Sequence, residues 1–197
     1  MANNSGFDYQ KSRKIYFDLL GVKDLLCVKE ENQIKRDIGR TFPTQQIFQE
    51  PSGEGQQSLQ RVLQAFSKYD PAIGYVQGMN FIVASFLLHC SEEVTFWLFV
   101  SLIEDYEMRD IYMDGLPGHI KHSTLIEQLM ELHLPELLFH LRENGMGIEI
   151  FATDWYFTLF AKVIPTHQMH AFFNAFFQRG WCFFHKFALA FLRILQP

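Results

Sequence analysis

The chain has 197 residues, of which 48% are hydrophobic and 20% charged, enough for one ordinary domain with a sizeable core and unlike a disordered chain. A formal net charge of −5 argues against nucleic acid as the main ligand, which would call for clustered lysine and arginine. Cys27, Cys90 and Cys182 are odd in number and widely spaced, and "MANNSGFDYQKSRK" has no apolar signal core, so a reduced intracellular compartment is expected.

The first informative stretch is "IKRDIGRTFP", residues 34–43. On a helix, Ile34, Ile38 and Thr41 share a face, Asp37 borders it, and Arg40 lies one step further round. Thr41-Phe42-Pro43 should stop the helix, because proline disfavours helical geometry in the residue before it. Arg40 then stands near a helix C-terminus, within i, i+3 reach of Asp37. Alone, this is a surface ion pair worth a few tenths of a kcal/mol. "EPSGEGQQS" next reads as a flexible insertion.

Leu59, Val62, Leu63 and Phe66 then repeat at helical spacing, with Gln60, Arg61, Gln64 and Lys68 opposite. Asp70-Pro71 breaks the chain, and Gly74 ends a short loop before "YVQGMN". Gln77 sits between that loop and an apolar run. Its amide could cap the helix start, or it could orient a water by donating and accepting hydrogen bonds. Gly78 would let another backbone come close.

The run "MNFIVASFLLHCSEEVTFWLFVSLI" is cut by Ser91-Glu92-Glu93 into pieces too short to cross a bilayer, which takes ~20 residues. Two buried helices, Met79 to His89 and Val94 to Tyr106, are expected, with Ser91 as N-cap of the second. A loop holding Gly115, Pro117 and Gly118 follows. Helices are expected next over Thr124 to His133 and Pro135 to Asn144, the latter stopping before Gly145. "IEIFATDWYFTLFAKVI" should form another, ended by Pro165, and two last helices flank Gly180. Strand patterns are lacking. With 21 phenylalanines, the core or a partner surface is aromatic-rich.

His119-x-x-His122 and His167-x-x-His170 lack the cysteine or carboxylate partners of a recognised metal pattern, so no metal site is expected. A Gly-x-Ser-x-Gly nucleophile is missing. Gly53-x-Gly55 lacks the lysine of a phosphate loop, so the chain should not bind nucleotide by itself.

Taken together, "IKRDIGRTFP" resembles the Ile-x-x-Asp-x-x-Arg motif, and "YVQGMN" the Tyr-x-Gln-Gly-Met motif, of the TBC-domain Rab GTPase-activating proteins. Arg40 and Gln77 are 37 positions apart, with one amphipathic helix between. The resemblance runs on through "LPELLFHL", "TDWYFTLFAKVIP" and "FFNAFFQRGWCFFHKFALAFL", over roughly residues 16 to 195. It implies an all-α, TBC-type domain of stacked antiparallel helices over 13–197, after a tail at 1–12.

It further implies an activator that completes the active site of a GTP-bound Rab-family GTPase, in vesicle trafficking. Arg40 would be an arginine finger and Gln77 a glutamine finger, with Asp37 and Tyr75 orienting them. Ile34, Thr41, Phe42, Pro43, Gly78, Met79 and Asn80 would be candidates for partner contact. The chain would need no cofactor of its own, since Mg²⁺ and GTP belong to the GTPase. A cytoplasmic location is implied, with membranes reached only through that partner. "SRKIYFDLL" offers Arg13 and Phe17 without the family's N-terminal tryptophan, and Phe173-Asn174 replaces its Trp-Asp. The domain is therefore expected to be shortened at both ends, and a Rab-binding scaffold without catalysis is the alternative.

Overall fold

The structure, a computed structural model, describes residues 9–22 and 26–194. Residues 1–8 of the expected tail and Leu195 of the last expected helix lie outside them. The described residues form helices and connections with no strand, as the periodicity requires. The chain divides into two compact units, one up to Ser101 and one from Leu102.

The first unit holds α1 (Tyr9–Gly21), α2 (Val28–Ile38), α3 (Gln46–Gln49), α4 (Glu54–Tyr69), α5 (Met79–Leu87) and most of α6 (Glu92–Asp105). Helix α1 begins inside the stretch expected to be a tail. At its centre α4 packs against α1, α2, α3 and α5. Leu59, Val62, Leu63 and Phe66 form its buried stripe, and every residue of the largely apolar α5 is buried, including Asn80 and Ser85, whose polar atoms are hydrogen-bonded.

The expected flexible insertion is largely the first turns of α4. Gly55 is buried there, and a Cβ on it would fall onto the carbonyl oxygen of Ile47 and within 2.7 Å of Ile47 Cγ1. Alanine is the better helix former by up to ~1 kcal/mol. The backbone collision is the larger effect, so Gly55→Ala is expected to destabilise the protein by about 2 kcal/mol. Urea unfolding would show it as a lower midpoint at unchanged slope.

The second unit is arranged around α8 (Pro117–His133), which packs against α7 (Arg109–Tyr112), α9 (Pro135–Glu143), α10 (Glu149–Thr158) and α11 (Thr166–Ile194). Pro117 opens α8 at its first turn, so Pro117 and Gly118 are helical where a loop was expected. Helix α9 ends as expected, with Gly145 at φ +65°. Helix α10 ends well before Pro165. Leu159 (φ +45°) and Phe160 (φ +60°) are left-handed, and the carbonyl of Trp155 accepts the Phe160 N–H at 3.1 Å. That conformation costs a non-glycine residue roughly 1–2 kcal/mol. Packing offsets it: Phe160 is fully buried among Trp155, Phe172, Phe184, Phe187 and Phe191.

Helix α11 is broken at Gly180 (φ +57°, ψ −147°), a conformation reserved for glycine. The apolar face of its second half is partly covered. Leu192 is buried, and Phe187 and Phe191 both meet Phe160. Among the described residues no helix is long and apolar enough to cross a membrane.

Candidate functional site

Helix α2 stops at Ile38, three residues before Thr41, and Gly39 caps it in right-handed geometry. Arg40 and Thr41 continue as a turn, their N–H groups donating to the carbonyls of Asp37 (3.2 Å) and Ile38 (3.0 Å). Phe42 follows at φ +43°, so the chain reverses direction before Pro43. The turn leaves Arg40 projecting, its side chain 51% exposed, directly above Asp37, whose side chain is 6% exposed.

Arg40 meets one carboxylate oxygen, Asp37 Oδ1, donating to it through Nε at 3.0 Å, with Nη2 in ion-pair contact at 2.8 Å. The other oxygen, Oδ2, accepts the hydroxyl of Tyr75 at 2.7 Å. The buried carboxylate therefore has a charged donor and a neutral donor, which a desolvated anion needs. This is a different object from a solvated surface pair. Asp37 is locked from below, and the guanidinium it holds keeps a free outer edge.

Tyr75 lies in the loop between α4 and α5, in the second motif. Its hydroxyl is also 3.1 Å from Asn80 Oδ1. Asn80, fully buried, accepts the Gly78 N–H at 3.1 Å and donates Nδ2–H to Thr41 Oγ1 at 2.7 Å. Thr41 Oγ1 in turn donates to the carbonyl of Asp37 at 2.7 Å. A buried ring thus runs from Asp37 to Tyr75, Asn80, Thr41 and back to Asp37. It ties the two motifs together, although they are far apart along the chain.

Gln77 sits at the edge of the ring. Gly78, at φ +114°, is its hinge into α5, a geometry that a Cβ would strain. Gln77 is exposed, and its amide has no hydrogen-bond partner among the described residues. Arg40 and Gln77 are thus the two exposed members of a set whose other members are buried.

The residues expected to meet a partner differ in burial. Ile34, Thr41, Gly78, Met79 and Asn80 are buried within the first unit, leaving Pro43 exposed and Phe42 half-buried as contact candidates. Phe42 leans edge-on against Phe81, ring centres 5.5 Å apart. Ile34 and Met79 are core, and Thr41 and Asn80 hold the ring. Closeness in sequence to Arg40 and Gln77 is no guide to exposure, since a turn residue and its neighbour point to opposite sides.

The histidines go elsewhere. His119 pairs with Thr153 Oγ1 at 2.9 Å, while His122 Nδ1 faces His185 Nε2 at 3.2 Å inside the second unit. His170 lies 3.4 Å from Asn174 Nδ2 on the exposed side of α11. Among the described residues, no group of three or more His, Cys, Asp or Glu could hold a metal ion. Phe173 is buried against Phe172, and Asn174 makes its contact within its own helix, at His170.

Comparison with known proteins gives one family. The model described as the Rab-GTPase-TBC domain matches residues 3–197, across both compact units. Among curated relatives, the Rab GTPase-activating protein tbc-11 of Caenorhabditis elegans is 34% identical over 82% of this chain and 17% of its own length. The GTPase-activating protein GYP5 of Saccharomyces cerevisiae is 34% identical over 96% of this chain and 20% of its own. The chain thus spans a fifth or less of the length of these relatives.

Two solved structures share the fold. The Chlamydomonas flagellar RabGAP TBC domain superposes with a TM-score of 0.77 at 29% identity, over 95% of this chain and 64% of that one. The Ypt/Rab-GAP domain of Gyp1p gives 0.71 at 26%, over 82% and 59%.

Proposed function

Because the chain belongs to the Rab-GTPase-TBC domain family, we propose that it accelerates GTP hydrolysis by a GTP-bound Rab-family GTPase, to which it supplies Arg40 and Gln77 in trans. One observation carries this reading. An exposed arginine bonded to a buried hydrogen-bonded ring and an exposed glutamine on the loop that this ring anchors stand together, with nothing else among the described residues using their outward groups.

Phosphoryl transfer leaves a helper protein little covalent work. Rate is gained by stabilising charge on the transferred group and by aligning the attacking water. Arg40 suits the first role, because a guanidinium carries its charge at any working pH and offers forked donors to phosphate oxygens. Its Nε and Nη2 are engaged by Asp37, so the remaining N–H groups face outward. Asp37 and the ring reduce the freedom lost when the side chain meets its target. Gln77 suits the second role, since one amide can accept from a water and donate to a neighbouring oxygen. Mg²⁺ and GTP would be held by the GTPase. Pro43 and the exposed side of Phe42 would lie beside that surface.

The test is single-turnover GTP hydrolysis by a panel of Rab proteins with and without this protein. One or a few are expected to be accelerated, and Gln77→Ala to lower the stimulated rate on the order of 10²-fold, the usual cost of removing one aligned polar group. Rab binding without acceleration would instead make the chain a scaffold.

A further inference from the structure

The ring explains how Tyr75 is held at its hydroxyl end, but the glutamine loop has a second anchor. Glu30, in the first turn of α2, accepts the backbone N–H of Tyr75 on Oε1 at 2.6 Å. Gly74 (φ +63°) makes room for it, since a Cβ there would come within 2.8 Å of that same oxygen. Glu30 and Asp37 are seven residues apart on one helix, so they share a face and stand about 10 Å apart along the axis. Tyr75 spans that interval. Asp37 takes its hydroxyl, and Glu30 takes its amide.

We propose that Glu30 is a positioning residue for Gln77. The role rests on the activator function proposed above. Helix α2 then serves both fingers: its C-terminal end grips Arg40 through Asp37, and its first turn grips the loop two residues before Gln77. A carboxylate is suited to this post. It makes a charge-assisted bond to a backbone amide, and near a helix N-terminus its charge is stabilised by the helix dipole. A bond at the tyrosine's backbone, added to the one at its hydroxyl, narrows the range over which the loop can swing.

The experiment is single-turnover hydrolysis by the stimulated Rab, at varied concentrations of this protein. Glu30→Ala and Glu30→Gln are each measured alone and combined with Gln77→Ala, alongside amide exchange of Tyr75 in the free protein. Glu30→Ala is expected to lower the maximal stimulated rate roughly tenfold, with the half-saturating concentration little changed, since a small misplacement of a reacting group is costly. It should also release the Tyr75 amide to exchange. Glu30→Gln keeps an acceptor oxygen and should restore most of the rate. In the Gln77→Ala background, Glu30→Ala should cost nothing further, because the group it aims is gone.

An equal loss in both backgrounds, or an unchanged rate with a freely exchanging Tyr75 amide, overturns the positioning role and leaves the activator function standing. An activator whose rate is indifferent to Gln77→Ala overturns the role of Gln77 itself, and that of Glu30 with it.

Discussion

Arg40→Ala is expected to lower the stimulated rate of Rab GTP hydrolysis by about 10³-fold or more, the scale on which an arginine supplied in trans acts. Folding needs separate attention, because the substitution leaves Asp37 Oδ1 buried without its cation. A buried acceptor deprived of its partner costs roughly 1–3 kcal/mol. The variant should therefore melt a few degrees lower while keeping its helical circular dichroism, and rates should be compared well below that transition. Arg40→Lys separates charge from geometry. A lysine can answer Asp37 with one donor, but it has no second edge to offer a phosphate oxygen. It should recover most of the stability and little of the rate. Recovery of both by lysine would mean that charge alone is needed at this position, and the forked donor would lose its importance.

Acid is expected to weaken the fold through the second unit rather than through the surroundings of Arg40 and Gln77. His122 and His185 are buried, 3.2 Å apart, and His122 stacks on Trp181 with ring centres 3.8 Å apart. The carbonyl of Trp181 accepts from His185 Nδ1 at 2.7 Å, so His185 Nε2 is left to accept from His122 Nδ1. The pair is thus satisfied with both rings neutral. Burial, then the charge of His185 and of Lys121, pushes the His122 pKa down to about 4, with Glu107 opposing, and burial also lowers that of His185.

Unfolded histidine takes its proton near pH 6.5, so between pH 6.5 and about 4 the unfolded chain binds more protons than the folded one. The stabilisation is complete above pH 6.5 and is lost as pH falls toward 4. For His122 it amounts to on the order of 3 kcal/mol. Carboxylates held low by cations, such as Glu92 beside Arg61, add their losses only below about 4.5, so the upper part of the window belongs to histidine. Urea midpoints at about pH 7 and pH 5 should differ clearly for the natural protein. They should draw closer for His122→Gln combined with His185→Gln, leaving the smaller part due to His119, whose pKa burial also lowers, and an unchanged pH dependence in that variant would assign the effect elsewhere.

Much of this fold is legible in the sequence, for reasons that differ by element. The stripe of α4 and the high apolar content of α5 are each properties of one helix, and the residue pattern shows them directly. The break at Gly180 and the end of α9 carry glycine signals. The end of α10 carries none: Leu159 and Phe160 turn left-handed because Phe160 is drawn into five aromatic neighbours, a cause visible only in three dimensions. At the site, Arg40 and Gln77 could be singled out, but not which of their neighbours are buried. Ile34 and Met79 look like surface companions of Arg40 and Gln77, and are core. Glu30 could have been suspected from its seven-residue spacing to Asp37, yet nothing local says that an amide from residue 75 arrives there.

The ring has one more consequence, for how the arrangement comes into being. Its two cross-links join residues 38 and 39 positions apart, Asp37 to Tyr75 and Thr41 to Asn80. Chain segments that distant meet only after the entropy of closing the loop has been overcome, which the packing of α2, α4 and α5 accomplishes. Neither motif cut out as a short peptide would hold Arg40 or Gln77 in place. A cavity opened under α4, far from Arg40 and Gln77, would slacken both at once, so turnover should register damage to that packing before the helical content does.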